Sequence, residues 1–200
     1  MHAPSSKAIG FIIKPAVFLA SLFPFTMLVY DAVMGSLGIN PVETLTHATG
    51  DWTLRFLLIT LTVTPLRKIT GQSWLIKLRR MFGLFAFFYA LLHFTTYIWF
   101  DQYFDWVAIL KDIPKRPFIT VGFCAFVLLI PLALTSTNKM MKRLKRNWTK
   151  LHKLIYVIAV LGVLHFLWLV KADTREPLIY ACILLMLLLY RAYQQRFVKS

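Results

Sequence analysis

Five histidines stand in this chain: His2, His47, His93, His152 and His165. Three of them lie in, or at the mouth of, strongly apolar runs. His93 is set in Ala90-Leu91-Leu92-His93-Phe94, His165 in Gly162-Val163-Leu164-His165-Phe166, and His152 opens the run that contains His165. An ionisable side chain within a segment long enough to cross a bilayer is costly to bury and marks a functional position by default. No carboxylate lies near His93 or His165 in sequence. Two neutral imidazoles on different helices can act as the axial ligands of one haem iron, with the flat apolar macrocycle between them. The alternative for each is a polar residue bonded to a neighbouring helix.

Depth favours the ligand reading. If the helix of His93 enters the membrane near Met81, His93 lies about 18 Å along its axis; if that of His165 enters at His152, His165 lies about 20 Å in. His152 cannot share a face with His165, because 13 residues of straight helix turn through about 1300° and leave the two some 140° apart. It either ligates a second haem near the cytoplasmic side or sits at the interface between Lys150 and Lys153. Arg79 and Arg80 stand where a span-three partner for it would be and are candidates to meet haem propionates. His47, ahead of Thr49-Gly50-Asp51, reads as a loop or cap residue or as a quinone-site or propionate contact, and His2 as a frayed terminus.

The elements that carry these residues follow from composition. Of 200 residues 58% are hydrophobic and 16% charged, with a mean hydropathy of +0.65, whereas a soluble domain is about a quarter charged. The net charge of +15 would suit nucleic acid in a soluble protein. Here the cations sit in short clusters between apolar runs, the pattern of cytoplasmic loops, so a nucleic-acid partner is excluded. Cys124 and Cys182 lie in separate apolar runs and read as small buried hydrophobes. No metalloprotease, phosphate-loop, dinucleotide or nucleophile-elbow motif occurs.

Six segments reach the length that a span requires: about 10 to 30, 47 to 66, 81 to 100, 118 to 137, 152 to 171 and 177 to 193. The first exceeds a signal-peptide core and reads as retained. Arg67, Lys68, Lys77, Arg79 and Arg80 fill one loop without an acid, and Lys139, Lys142, Arg143, Lys145, Arg146 and Lys150 another. The opposite loops, 31 to 51 and 101 to 117, carry the acids Glu43, Asp101, Asp105 and Asp112. The expected fold is therefore an all-α membrane protein, a six-transmembrane-helix bundle with both termini cytoplasmic. The basic clusters also suit anionic lipid or a flavin phosphate. Trp52, Trp99, Trp106, Trp148 and Trp168 read as interface anchors. No repeat of 20 to 50 residues or linker divides the chain, so residues 1–200 read as one domain. Past the sixth span about ten residues remain, so an electron-donor domain is expected on a separate chain.

Several stretches carry a resemblance to a known family. They are Thr-Gly-Asp-Trp-Thr-Leu-Arg-Phe at 49 to 56, Thr-Pro-Leu-Arg at 64 to 67, Leu-Arg-Arg-Met-Phe-Gly-Leu at 78 to 84, Leu-Leu-His-Phe-Thr at 91 to 95, and Arg-Pro-Phe-Ile-Thr-Val-Gly at 116 to 122. Leu-Thr-Ser-Thr at 134 to 137, Trp-Thr-Lys-Leu-His-Lys-Leu-Ile-Tyr at 148 to 156 and Leu-His-Phe-Leu-Trp at 164 to 168 complete the set. In this order the chain resembles MsrQ (formerly YedZ), the haem-binding membrane subunits of bacterial protein-methionine-sulfoxide reductases, within the wider ferric-reductase-like transmembrane group.

The resemblance implies a multi-pass cytochrome b of the bacterial inner membrane. It implies haem b, one or two, with FMN as a further cofactor and quinone as electron donor, a cytosolic flavin reductase being the other source. It implies a periplasmic molybdopterin partner, MsrP, which repairs methionine sulfoxide in proteins, and it places the haem ligands on His93, His152 and His165. In that reading the chain is a non-catalytic electron-transfer subunit. Two alternatives stay open: a stand-alone haem-dependent ferric or quinone reductase, and a cofactor-free transporter or scaffold.

Overall fold

The computed structural model describes residues 4–170 and 173–197; His2 and Lys171 lie outside them. Among the described residues all regular structure is helical. The chain divides into two compact units, Met1–Asp101 and Gln102–Ser200.

In the first unit a short π-helical opening, Ile9–Ile13, leads into α1, Lys14–Met34. Gly35 closes α1 in the left-handed region (φ 68°), where glycine alone adds no side-chain strain. Next comes α2, Pro41–Thr70, begun by a capping pair: the Asn40 side chain accepts from the Glu43 N–H and its amide donates to the Glu43 carboxylate at 2.9 Å. Pro41 occupies the first helical position, where a missing N–H costs nothing. The helix thus starts several residues before the expected 47, and His47 and the Thr49-Gly50-Asp51 stretch are helical rather than loop. A 3-10 turn, Ser73–Lys77, joins it to α3, Arg79–Thr96, followed by a π turn, Tyr97–Asp101.

Helices α2 and α3 pack closely. Lipid offers no hydrophobic drive between helices, so contact rests on shape and small residues. Here Ala86 and Ala90 of α3 are buried, and a Cβ on Gly83 would sit 3.9 Å from the Thr60 methyl. An aromatic wall fills the remainder. Tyr89, wholly buried, stacks on Phe56 at 5.4 Å and 10° and lies near Trp52. Trp52 is half-buried and packs against this wall within α2. The Tyr89 hydroxyl also ties α1 in: it accepts from the Phe25 N–H at 3.1 Å and donates to the Ser21 carbonyl at 2.9 Å. Those two backbone groups flank Pro24, whose ring disturbs the α-helical ladder.

In the second unit Asp105 caps α4, Trp106–Lys115, by accepting from the Val107 and Ala108 N–H groups at 3.0 and 2.9 Å. This helix occupies what reads in sequence as a plain loop. Pro117 then opens α5, Pro117–Leu134. Two short basic helices follow, α6 (Asn138–Leu144) and α7 (Arg146–Leu151), before α8 (Leu154–Leu169) and α9 (Arg175–Phe197). Helix α5 packs on α8 through Ala125 and Ala159, and α8 on α9. Cys124 and Cys182 are exposed thiols, not the buried hydrophobes that apolar surroundings suggest in sequence; in a helix apolar all round, local composition does not say which side faces a neighbour.

Five helical stretches are long and apolar enough to cross a membrane: Ile9–Met34, Arg79–Asp101, Pro117–Leu134, Arg146–Leu169 and Arg175–Arg196. Helix α2 is not among them. It carries eight threonines and the Asp51–Arg55 pair, and these lower its hydropathy.

Candidate functional site

His93 lies three residues from the end of α3, and its Nδ1 is 2.9 Å from the Thr46 carbonyl oxygen on α2. A carbonyl only accepts, so Nδ1 carries the proton and Nε2 is the lone-pair nitrogen of the neutral ring. Metal-binding histidines are held this way: the second ring nitrogen donates to a carbonyl, which fixes tautomer and orientation. A second contact backs up the first. Thr46 Oγ1 donates to Thr96 Oγ1 at 3.1 Å, which donates to the His93 carbonyl at 2.7 Å. One turn beyond Thr46 stands Gly50, and a Cβ there would be 3.1 Å from His93 Cε1 and 3.2 Å from Nδ1.

The second unit repeats the arrangement. His165 lies four residues from the end of α8, and its Nδ1 donates to the Phe118 carbonyl on α5 at 2.6 Å. Gly122, one turn beyond Phe118, would place a Cβ 2.8 Å from Nδ1 and 2.9 Å from Cε1. In both units 47 residues separate histidine from carbonyl. Each of Phe118, Gly122 and Leu164-His165-Phe166 falls 72 residues after Thr46, Gly50 and Leu92-His93-Phe94. That correspondence is longer than the 20-to-50-residue window in which the sequence shows no repeat. It was the signal by which Gly50 and Gly122 could have been found.

His152 is held differently. It belongs to the joint between α7 and α8, not to a straight helix with His165, so the angular argument made from spacing does not apply. Its Nδ1 is 3.1 Å from the Trp148 carbonyl, its ring stacks on the Trp148 indole at 3.9 Å, and its Nε2 is 3.5 Å from Ser136 Oγ. Trp148 is pinned in turn, its indole N–H donating to the Thr135 carbonyl at 2.9 Å. The Nδ1 contact selects the same neutral tautomer, but the acceptor is local and no glycine underlies the ring. His47 is exposed on α2.

Two ionic groups of α2 pair with each other. Arg55 pairs with Asp51 one turn earlier at 3.6 Å and lies over the Trp52 ring at 4.8 Å. The residues present fit a haem: each imidazole commits its Nδ1 to a carbonyl, leaves Nε2 as the possible ligand atom and stands among apolar helices, a donor type that haem iron takes.

A helical, multi-pass membrane architecture of this kind is matched by a family model, the ferric reductase like transmembrane component, over residues 49–163. The MsrQ heme-binding subunit of the protein-methionine-sulfoxide reductase of Herminiimonas arsenicoxydans is 56% identical over 185 residues, 91% of this chain and 85% of that protein. The subunit of the same name from Xanthomonas campestris pv. campestris strain 8004 is 54% identical over 91% of this chain and 86% of its own length, and that of Xanthomonas oryzae pv. oryzae strain MAFF 311018 is 52% identical over 92% and 87%. No solved structure matches the chain. The chain belongs to the MsrQ family within the ferric-reductase-like transmembrane proteins.

Proposed function

We propose that this protein is the haem-binding electron conduit of a protein-methionine-sulfoxide reductase. It would take electrons from quinol, or from a reduced flavin such as FMN or a cytosolic flavin reductase, and pass them across the bacterial inner membrane to periplasmic MsrP. The observation that carries the reading is the pair of carbonyl-anchored imidazoles, His93 on Thr46 and His165 on Phe118, in a chain whose relatives are named heme-binding subunits.

In this reading His93 and His165 would hold haem b, each through Nε2, because its Nδ1 is committed to a carbonyl. His152 is the remaining ligand of the set, serving a second haem on the cytoplasmic side, and Trp148 orients its ring. A bound haem supplies a one-electron redox centre whose potential follows its ligands, burial and nearby charge. The chain's own residues hold the imidazoles, exclude water with Leu, Phe and Val side chains, and make no bond to substrate.

Helix α2 completes six spans. Several of its hydroxyls are satisfied within the helix, Thr53 on Thr49 at 2.9 Å, Thr60 on Phe56 at 2.7 Å and Thr62 on Leu58 at 2.8 Å. A helix whose polar groups bond internally and which lies against protein tolerates low hydropathy in a membrane. The acid-free basic loops at 67–80 and 139–150 support a reading with both termini in the cytoplasm.

Membranes carrying this chain, supplied with a quinol, should reduce its haem and support methionine sulfoxide reduction by added MsrP. Turnover of ferric chelates without MsrP, with no electron delivery to it, would instead support a stand-alone reductase. A colourless purified protein would support a cofactor-free transporter or scaffold.

A further inference from the structure

Gly50 and Gly122 are not required by backbone conformation. Both sit inside helices, and the described residues with positive φ are others: Gly35, Gly38, Gly71, Tyr103, Phe104 and Lys145. Glycine inside a helix is unfavourable relative to alanine, and at these two positions a spatial cause offsets that cost. The cause is visible: a Cβ at Gly50 would press on the His93 ring at 3.1 Å, and one at Gly122 would collide with the His165 ring at 2.8 Å. Real Cβ atoms do not approach ring atoms at 2.8 Å, while 3.1 Å demands a shift of a few tenths of an ångström. Gly83 offers the contrast, since a Cβ there meets only a methyl at 3.9 Å, an ordinary contact.

Each glycine stands one turn past the carbonyl that accepts from the ring above it. The missing side chain there lets the imidazole approach the helix backbone closely, with Nδ1 2.9 Å from Thr46 O and 2.6 Å from Phe118 O. We infer that Gly50 and Gly122 are positioning residues that set the tautomer and ring plane of the two haem-ligating histidines, with Gly122 the less tolerant. The inference rests on the reading that His93 and His165 are ligands. A methyl at either site would tilt the ring and lengthen the Nδ1 bond, so the ligand would lose both aim and basicity. Outer-shell contacts of this kind change metal retention on the order of tenfold or more.

The experiment compares purified wild-type protein with G50A, G122A and G83A, and with H93A and H165A. Haem per protein, the low-spin EPR g-values of the oxidised form and the midpoint potential are read for each. G122A is expected to retain haem about tenfold more weakly. G50A should keep its haem with shifted g-values and potential, and G83A should match wild type in all three. Because G50A demands only a small displacement, it carries the test even if G122A fails to fold. G50A and G122A indistinguishable from G83A, in a protein where H93A and H165A do lose the low-spin signal, would overturn the inference alone. H93A and H165A retaining the wild-type signal would overturn the ligand reading and the inference with it.

Discussion

The imidazole of His165 and the carbonyl of Phe118 are 2.6 Å apart, joining α8 to α5, and the same bond, with the same 47-residue separation, joins His93 to Thr46. Each unit thus presents a histidine whose proton is placed by a backbone atom of the opposite helix. A backbone acceptor cannot be lost by substitution, which leaves the glycine and the surrounding hydroxyls as the adjustable parts.

Thr96 is one such part. Its hydroxyl accepts from Thr46 and donates to the His93 carbonyl, so Thr96→Val removes both bonds while nearly conserving volume. The protein should fold and keep its haem, and its midpoint potential should shift by less than in G50A. An unchanged potential would show that this pair of hydroxyls does not restrain His93.

Tyr89→Phe should weaken the fold without touching the ligands. It removes the hydroxyl that bridges the Phe25 N–H and the Ser21 carbonyl beside Pro24, and the loss of such a bond costs about 0.5–1.5 kcal/mol. Thermal denaturation in detergent should begin several degrees lower, with the haem spectrum of the remaining folded protein unaltered.

Trp148→Leu removes the ring on which His152 stacks and the donor to Thr135. If His152 holds a second haem, this variant and His152→Ala should each lower haem content and leave the low-spin signal from His93 and His165. Full haem content in both would confine His152 to a structural role at the α7–α8 joint.

The six-span topology predicts a labelling pattern. In a Cys124→Ser, Cys182→Ser background, Ser73→Cys and Lys142→Cys should resist a membrane-impermeant maleimide applied to intact cells with a permeabilised outer membrane, while Asn40→Cys and Gln102→Cys should react. Labelling of Ser73 and Asn40 from the same side would show that α2 does not cross.

Much of this architecture could be read from residues alone. Apolar length marked α1, α3, α5, α8 and α9, and the isolation of His93 and His165 in apolar runs singled them out. The start of α2 was misplaced because its apolar stretch begins well after its cap at Asn40 and Pro41. Helix α4 is hidden in sequence because Lys111, Asp112 and Lys115 give the stretch the composition of a loop, while the apolar spacing of Trp106, Ile109, Leu110 and Ile113 is too short to stand out. Gly50 and Gly122 were in view as parts of recognisable stretches, yet a glycine's role depends on what lies opposite it, and only packing shows that.

The proposal that most needs testing is that His93 and His165 are both haem ligands. The most direct measurement is the dithionite-reduced minus oxidised spectrum of purified wild-type, His93→Ala and His165→Ala proteins, with haem quantified in each. A bis-histidine low-spin spectrum in the wild type, lost to the same extent in both variants, is the predicted result. Loss in one variant with a full low-spin spectrum in the other would contradict it.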